Sequence, residues 1–264
     1  MYIMISWHLG TMGYSYTEWR GVFYPESASP QSFLRSYARI FNAVELDTTF
    51  YGIPDASRIR GWRNQVPEGF VFCPKTPRAI THEGDLAGNF GRMEAFLDTV
   101  AHFEQRLGAV LIQFPPQFTA GRYEELLGFL DGLPGTFSFA VEVRHRSWLE
   151  TRLQDELRAR GLSWVSAEYV ILEPEFVATA DFVYLRFLGR HGQFPRKNQV
   201  QLNVRPVLNR WWDRLRPELD RLHTVFGFFN DDFAGHAPAS CNAFKEIAGL
   251  PVTRPDLPTQ GRLF

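Results

Sequence analysis

Charged side chains stand at the ends of several apolar runs of this chain, where an isolated charge would be costly. "FVFCPKTPRAITH" (70–82) sets Lys75, Arg78 and His82 behind an apolar stretch, and "SFAVEVRHRSW" (138–148) does the same with Glu142, Arg144 and His145. "AVELDTTFY" (43–51) carries Glu45 in its middle. An unpaired buried charge costs several kcal/mol, so these groups must be paired, hydrated or engaged with a ligand. Two carboxylates across one opening can work as acid and base or hold a divalent metal. A separation of about 5–5.5 Å between them would mark a retaining glycosidase. Lys75 and Arg144 can keep such carboxylates ionised, or can themselves bind an anion, arginine through its planar two-pronged fork. A buried ion network that only fixes strand register is the purely structural alternative.

The elements that would position these groups follow from periodicity. Strand-like runs occur at 3–10, 43–51, 70–77, 109–116, 138–145, 163–169, 181–189 and 224–231. Most are continuously apolar, the pattern of parallel strands covered on both faces. Helical stretches lie between them. Residues 29–41 open with Ser29 as N-cap and Pro30 at the first helical position, and 90–108 end at Gly108. Residues 147–161 open with a capping box, Ser147 to Glu150, and offer Leu149, Leu153 and Leu157 as a buried stripe. A short helix is expected near 173–180, and Pro217 interrupts 206–222. Strand and helix alternating eight times predict one somewhat irregular (β/α)8 TIM-type barrel over 1–250, followed by an extended tail over 251–264.

In that fold the functional groups gather where strands end. In chain order these are Tyr14, Glu45, Lys75, Gln113, Glu142 with Arg144, Glu168, Arg186, and Asn230 with Asp231. Period-two alternation puts Glu142 and Arg144 on the face of Ala140. Glu45, Lys75, Glu142 and His145 are the catalytic candidates. Tyr14, Arg78, His82, Gln113, Arg144, Trp148, Arg186, Arg190 and Asn230 are the candidates for holding substrate. Arg186 and Arg190 belong to a basic cluster (186–197) after the seventh run, a region that often binds phosphate in such barrels. Trp148 and Tyr14 could stack on bases or sugars.

Composition narrows the function classes. The 264 residues are 45% hydrophobic and 22% charged with a formal net charge of −1, so an anionic partner must be met by local charge. No apolar run approaches the length of a membrane span, and the first residues lack a signal-peptide pattern. Cys73 and Cys241 form no metal or redox spacing, which fits a reduced, cytoplasmic setting. No GxGxxG, P-loop, GxSxG or HExxH motif occurs, so sequence names no cofactor and no metal site.

The segments "GTMGYSYTEWRGVFYP" (10–25), "VELDTTFYGIP" (44–54), "KTPRAITH" (75–82), "LIQFPPQF" (111–118), "AVEVRHRSW" (140–148) and "FFNDDFAGHAPASCNAF" (228–244) resemble the YecE-like family, also called domain of unknown function 72. The resemblance spans nearly the whole chain in the family's order and implies a TIM-type barrel without a settled biochemical role. The family tends to show Gly-Thr-Ser-Gly-Trp-Ser-Tyr near its start, where this chain has Met12 and Tyr14 in place of the Ser and Trp.

The last residues, "QGRLF" (260–264), resemble the short C-terminal peptide with which bacterial DNA-processing proteins dock on the replication sliding clamp. Gln260 would satisfy a polar rim, and Leu263 and Phe264 would fill an apolar pocket. The leading functional expectation is a hydrolase acting on an anionic phosphodiester, nucleic acid included, at the C-terminal mouth of the barrel. A sugar or sugar-phosphate enzyme using the paired glutamates, and a non-catalytic binding protein, are the alternatives.

Overall fold

Eight short strands are laid side by side in parallel: β1 Ser6–Met12, β2 Ala43–Leu46, β3 Val71–Pro74, β4 Val110–Gln113, β5 Phe139–Glu142, β6 Ser163–Glu168, β7 Phe182–Phe187 and β8 Thr224–Phe229. This computed structural model describes residues 5–169 and 174–257. The strand order is β3-β2-β1-β8-β7-β6-β5-β4, so neighbours in sequence are neighbours in space. Between β3 and β4 the cylinder is joined by isolated bridges, Phe72 with Leu107 and Lys75 with Leu111. The result is the expected TIM-type (β/α)8 barrel.

Around it run α1 Pro30–Tyr37, α2 Ala56–Arg63, α3 Arg78–Thr81, α4 Phe90–Val100, α5 Tyr123–Asp131, α6 Leu153–Ala159, α7 Arg205–Leu215, α8 Asp231–Ala234 and α9 Ala237–Ile247. Pro30 sits at the start of α1 as read from sequence, but the Ser29 side chain makes no cap hydrogen bond. Pro217 falls where α7 gives way to a 3-10 segment, Arg216–Arg221.

Three further local expectations fail. Most strands stop earlier than their apolar runs, and the chain leaves the sheet before the run is spent. Thus Asp47–Phe50 winds into a 3-10 turn directly after β2. The capping box at Ser147 does not form. Ser147 instead bonds the Ala120 amide and the His145 ring, Arg146–Glu150 is a 3-10 turn, Leu149 is exposed, and α6 begins only at Leu153. No helix occupies 174–180, the described part of the stretch expected near 173–180.

Alternation divides each strand between two cores. Residues such as Ile112, Val141, Val183 and Phe229 face the helices and join the aromatic-rich layer around the barrel. Ala43, Cys73, Leu111, Ala140, Tyr184 and Phe228 fill the barrel interior. Two residues further along the same inward faces stand Glu45, Lys75, Gln113, Glu142 and Arg186, which are buried although polar. The apolar interior is therefore capped at its C-terminal end by one layer of polar side chains.

Candidate functional site

The centre of that layer is Arg186, 2% exposed at the end of β7. Its Nε and Nη2 donate to the two oxygens of Glu45, at 3.0 and 2.6 Å, and its Nη1 donates to Glu142 Oε2. Tyr184 Oη adds a bond to Glu45 Oε2 at 2.8 Å. Arg144 Nε donates to Glu142 Oε1 at 2.6 Å. All four carboxylate oxygens thus accept from arginine or tyrosine, which satisfies charges that would otherwise be untenable inside a protein.

Burial opposes ionisation of Glu142, but the fields of Arg144, Arg186 and Lys75 outweigh it and hold the carboxyl down at about 2. Glu45 is 0% exposed, and its full burial raises it from its ordinary value against the pull of Arg186. All the oxygens of both carboxyls are already engaged, so a paired-glutamate acid and base would first have to give up these hydrogen bonds. The same saturation argues against a metal on these two groups. Among the described residues no three His, Cys, Asp or Glu side chains are grouped to hold an ion.

Above this layer opens a cleft of about 470 Å³. Lys75, Gln113 and Arg144 line it, with Arg78, His82 and His191 around them, the rings of Phe50, Tyr51 and Tyr169 at its sides, and Asn230 and Asp232 opposite. Lys75 is 8% exposed, and its ammonium lies 3.9 Å from the centre of the Phe50 ring. Thr49 fixes this strand end, donating to the Lys75 carbonyl at 2.6 Å and accepting from its amide at 3.0 Å. Lys75 takes part in none of the ion pairs that organise the layer below. The Arg144 guanidinium lies over the Tyr169 ring at 4.7 Å, and only its Nε is engaged among the described residues.

His82 bonds Thr81 Oγ1 through Nδ1 at 2.8 Å and meets Phe50 edge-on. Burial, then the charges of Lys75, Arg78 and Arg144, depress it to about 4, so its ring is neutral at neutral pH. The wall opposite rests on Gly189, whose φ of +70° and contact with the Asp232 backbone leave no room for a Cβ. Asp232 holds the Gly192 amide with Oδ2, while its buried Oδ1 has no partner.

Six of the sequence-chosen residues therefore line one opening directly: Lys75, Arg78, His82, Gln113, Arg144 and Asn230. Glu45, Glu142 and Arg186 lie beneath it as its support. Arg186 is no loop cation, because β7 carries it into the interior and its donors are consumed there. The cleft lining does not include Tyr14, His145, Trp148 or Arg190. Trp148 is buried among Phe118 and Tyr123 with its indole N–H on the Phe118 carbonyl. His145 accepts the Ser147 amide and caps its turn. Tyr14 packs on Tyr37, and Arg190 is exposed. Of the two acids after β8, Asp231 turns away, accepting from Trp19 Nε1 and from the Ala237 amide that opens α9. Glu168 also turns outward, to Trp211 Nε1 at 2.6 Å.

Tyr169, Tyr184 and Asp232 are the contributors that sequence reading missed. Tyr184 was legible, standing two residues before Arg186 on the same face. Gln260, Leu263 and Phe264 lie outside the described residues.

Residues 8–262 match the family described as "Protein of unknown function DUF72". The chain belongs to this family. Its DUF72 relatives include the UPF0759 protein YecE of Escherichia coli, 35% identical over 147 residues, a match that covers 56% of this chain and 54% of that protein. Thus the chain spans about half the length of that relative in the match. The UPF0759 protein YunF of Bacillus subtilis is 26% identical over 86% of this chain and 90% of its own. A crystal structure of a DUF72 family protein from Thermotoga maritima superposes with a TM-score of 0.74 at 27% identity, covering 92% of this chain and 99% of that one. No helix among the described residues of this DUF72 protein is long and apolar enough to cross a membrane.

Proposed function

We propose that the mouth of the barrel binds a phosphate-bearing ligand with a flat ring, such as a nucleotide or a short single strand, and hydrolyses a phosphodiester in it. The observation that carries this reading is the charge left over at the cleft. Glu45 and Glu142 are answered by Arg186 and by one nitrogen of Arg144, whereas the Lys75 ammonium and the outer edge of Arg144 face the opening without a carboxylate partner among the described residues. Arginine and lysine so placed suit an anion, and both strengthen as charge grows on a phosphoryl group. Tyr51, 85% exposed at the rim, offers a face for stacking. In this reading His82, neutral at neutral pH, takes the proton of the attacking water.

Two measurements test it. Phosphate or a short oligonucleotide should raise the melting temperature, with an effect that fades as salt rises. A chromogenic nitrophenyl phosphodiester should be hydrolysed, and His82→Ala should lose that turnover while keeping the melting temperature of the parent. Failure of both ligands to stabilise the protein would remove the anionic-site reading. Binding without turnover would leave a non-catalytic binding protein. Docking of Gln260, Leu263 and Phe264 on a sliding clamp is a separate proposal, supported only by the sequence of the tail.

A further inference from the structure

The choice of base at position 75 is unusual for this chain. It has 28 lysines and arginines, of which three are lysines: Lys75, Lys197 and Lys245. Every ion pair that a lysine or arginine makes among the described residues uses an arginine. Arginine is also the better fork for a phosphate or carboxylate. Charge alone therefore gives no reason for a lysine at the cleft floor. What lysine offers and arginine does not is a primary amine that can lose its proton and act as a nucleophile.

We propose that Lys75 is a nucleophilic amine that forms a Schiff base with the carbonyl carbon of an anionic aldehyde or ketone whose phosphate or carboxylate is held by Arg144. This rests on the anion-binding part of the function proposed above and not on hydrolysis. The geometry suits such an attack. Phe50 covers one side of the ammonium and leaves the other toward the cleft, and Thr49 fixes the backbone on which the side chain stands. Burial, then the Arg186 charge, lowers the Lys75 ammonium from its ordinary value against the opposing fields of Asp47, Glu142 and Glu45. The neutral His82 ring lines the same cleft and can carry protons.

The reaction balances without a further reagent. The lone pair of the neutral amine bonds to the carbonyl carbon, and the carbonyl π pair moves to oxygen, which is protonated to give a carbinolamine. The nitrogen then forms the C=N bond as the hydroxyl leaves. The two hydrogens of the amine depart with the carbonyl oxygen as one water, and His82 relays them.

Pyridoxal phosphate is a suitable probe, because it joins an aldehyde, a phosphate and a flat ring. The full-length protein is incubated with it, reduced with borohydride to fix any imine as a secondary amine, digested and mapped by mass spectrometry. With only three lysines the map is unambiguous. Lys75 is expected to carry most of the label at times when Lys197 and Lys245 are still largely unmodified. Inorganic phosphate is expected to suppress that label. Labelling of Lys197 and Lys245 with Lys75 untouched overturns the proposal; if phosphate still raises the melting temperature, the anionic site survives that failure. Equal labelling by pyridoxal without its phosphate overturns the role of Arg144.

Two further trapping arms separate the sources of the same chemistry. One uses glyceraldehyde phosphate, the other an oligonucleotide with a single abasic aldehyde. A borohydride-stable adduct on Lys75 in either supports the proposal and names the source, and none in both overturns it.

Discussion

Arg186 reaches from β7 to grip Glu45 on β2 with two parallel hydrogen bonds, although two other strands stand between them in the sheet order. The contact spans the interior of the barrel, and the remaining arm of the same guanidinium holds Glu142 on β5. One arginine thereby ties three separate strands at the level where the interior ends. The carboxylates that look catalytic in the sequence are the footing for the cleft, and the groups that line the cleft above them include Lys75, Arg78 and Arg144.

Glu45→Gln should be strongly destabilising. It leaves the fully buried Arg186 with one carboxylate instead of two, and breaking such a buried pair costs about 3–5 kcal/mol. Urea denaturation measures it. A loss below about 1 kcal/mol would show that the network contributes little to holding the strands.

Lys75→Met should behave in the opposite way. No ion pair is broken, the new side chain keeps its packing on Phe50, and a desolvated cation is removed. Stability should stay within about 1 kcal/mol of the parent, while stabilisation by phosphate falls sharply. Equal phosphate stabilisation in the variant would take Lys75 out of the binding site.

Tyr51→Ala isolates stacking from charge. The ring is exposed, so the fold should not register its loss. Affinity for a short oligonucleotide should drop by about 1–3 kcal/mol, and affinity for inorganic phosphate should not change. Equal affinity for the oligonucleotide would remove the aromatic rim from the proposed site.

His82 makes a pH prediction with a definite sign. Its ring is depressed from 6.5 to about 4 in the folded protein, so between those values the unfolded chain binds a proton that the folded chain does not. Its contribution to stability is therefore lost as pH falls through that window. Asp231, raised from 3.8 to about 7 chiefly by burial, acts in the opposite direction, because there the folded chain holds the extra proton. The comparison must be between the parent and His82→Gln, which differ only in the first effect. The parent should lose more stability than the variant between pH 6.5 and 4. Parallel curves would show that neither burial nor the surrounding cations depress His82.

Deleting 260–264 should leave thermal unfolding unchanged, because among the described residues the last strand closes at Phe229 and α9 ends at Ile247. Binding to purified sliding clamp, if the tail docks as proposed, should be of micromolar strength and should vanish with the deletion. Clamp binding that persists without the tail would place the contact elsewhere.

The architecture was legible because parallel strands write themselves as apolar runs, and the inward faces could be counted in twos from Ala140 to Glu142 to Arg144. Which charges answer one another was not legible. Arg186 looked like the start of a basic loop because "RFLGRHGQFPRK" continues with cations, and nothing local shows that β7 points its Arg186 inward toward Glu45 and Glu142. In sequence His145 looks like part of the site because it adjoins Glu142 and Arg144, and Trp148 because its ring could stack on a base or a sugar. One residue past a strand end, however, the chain turns, and sequence neighbours cease to be neighbours in space. Nothing in the sequence separates Asp232 from Asp231, because only the start of α8 decides which of two adjacent acids faces the mouth.

The isolated bridges between β3 and β4 give the cylinder a seam. Along it the Thr76 amide reaches the Leu111 carbonyl and the Gly108 amide the Phe72 carbonyl, each at 2.8 Å, whereas β7 and β8 are registered over six residue pairs. Local opening is easiest where few backbone bonds must part, so amides here should exchange with solvent ahead of those on β7 and β8. Lys75 stands on one lip of the seam and Gln113 on the other. Breathing of the barrel wall would thus act as a variable aperture on the floor of the cleft, widening the space beside the amine without disturbing the arginine that ties β2, β5 and β7.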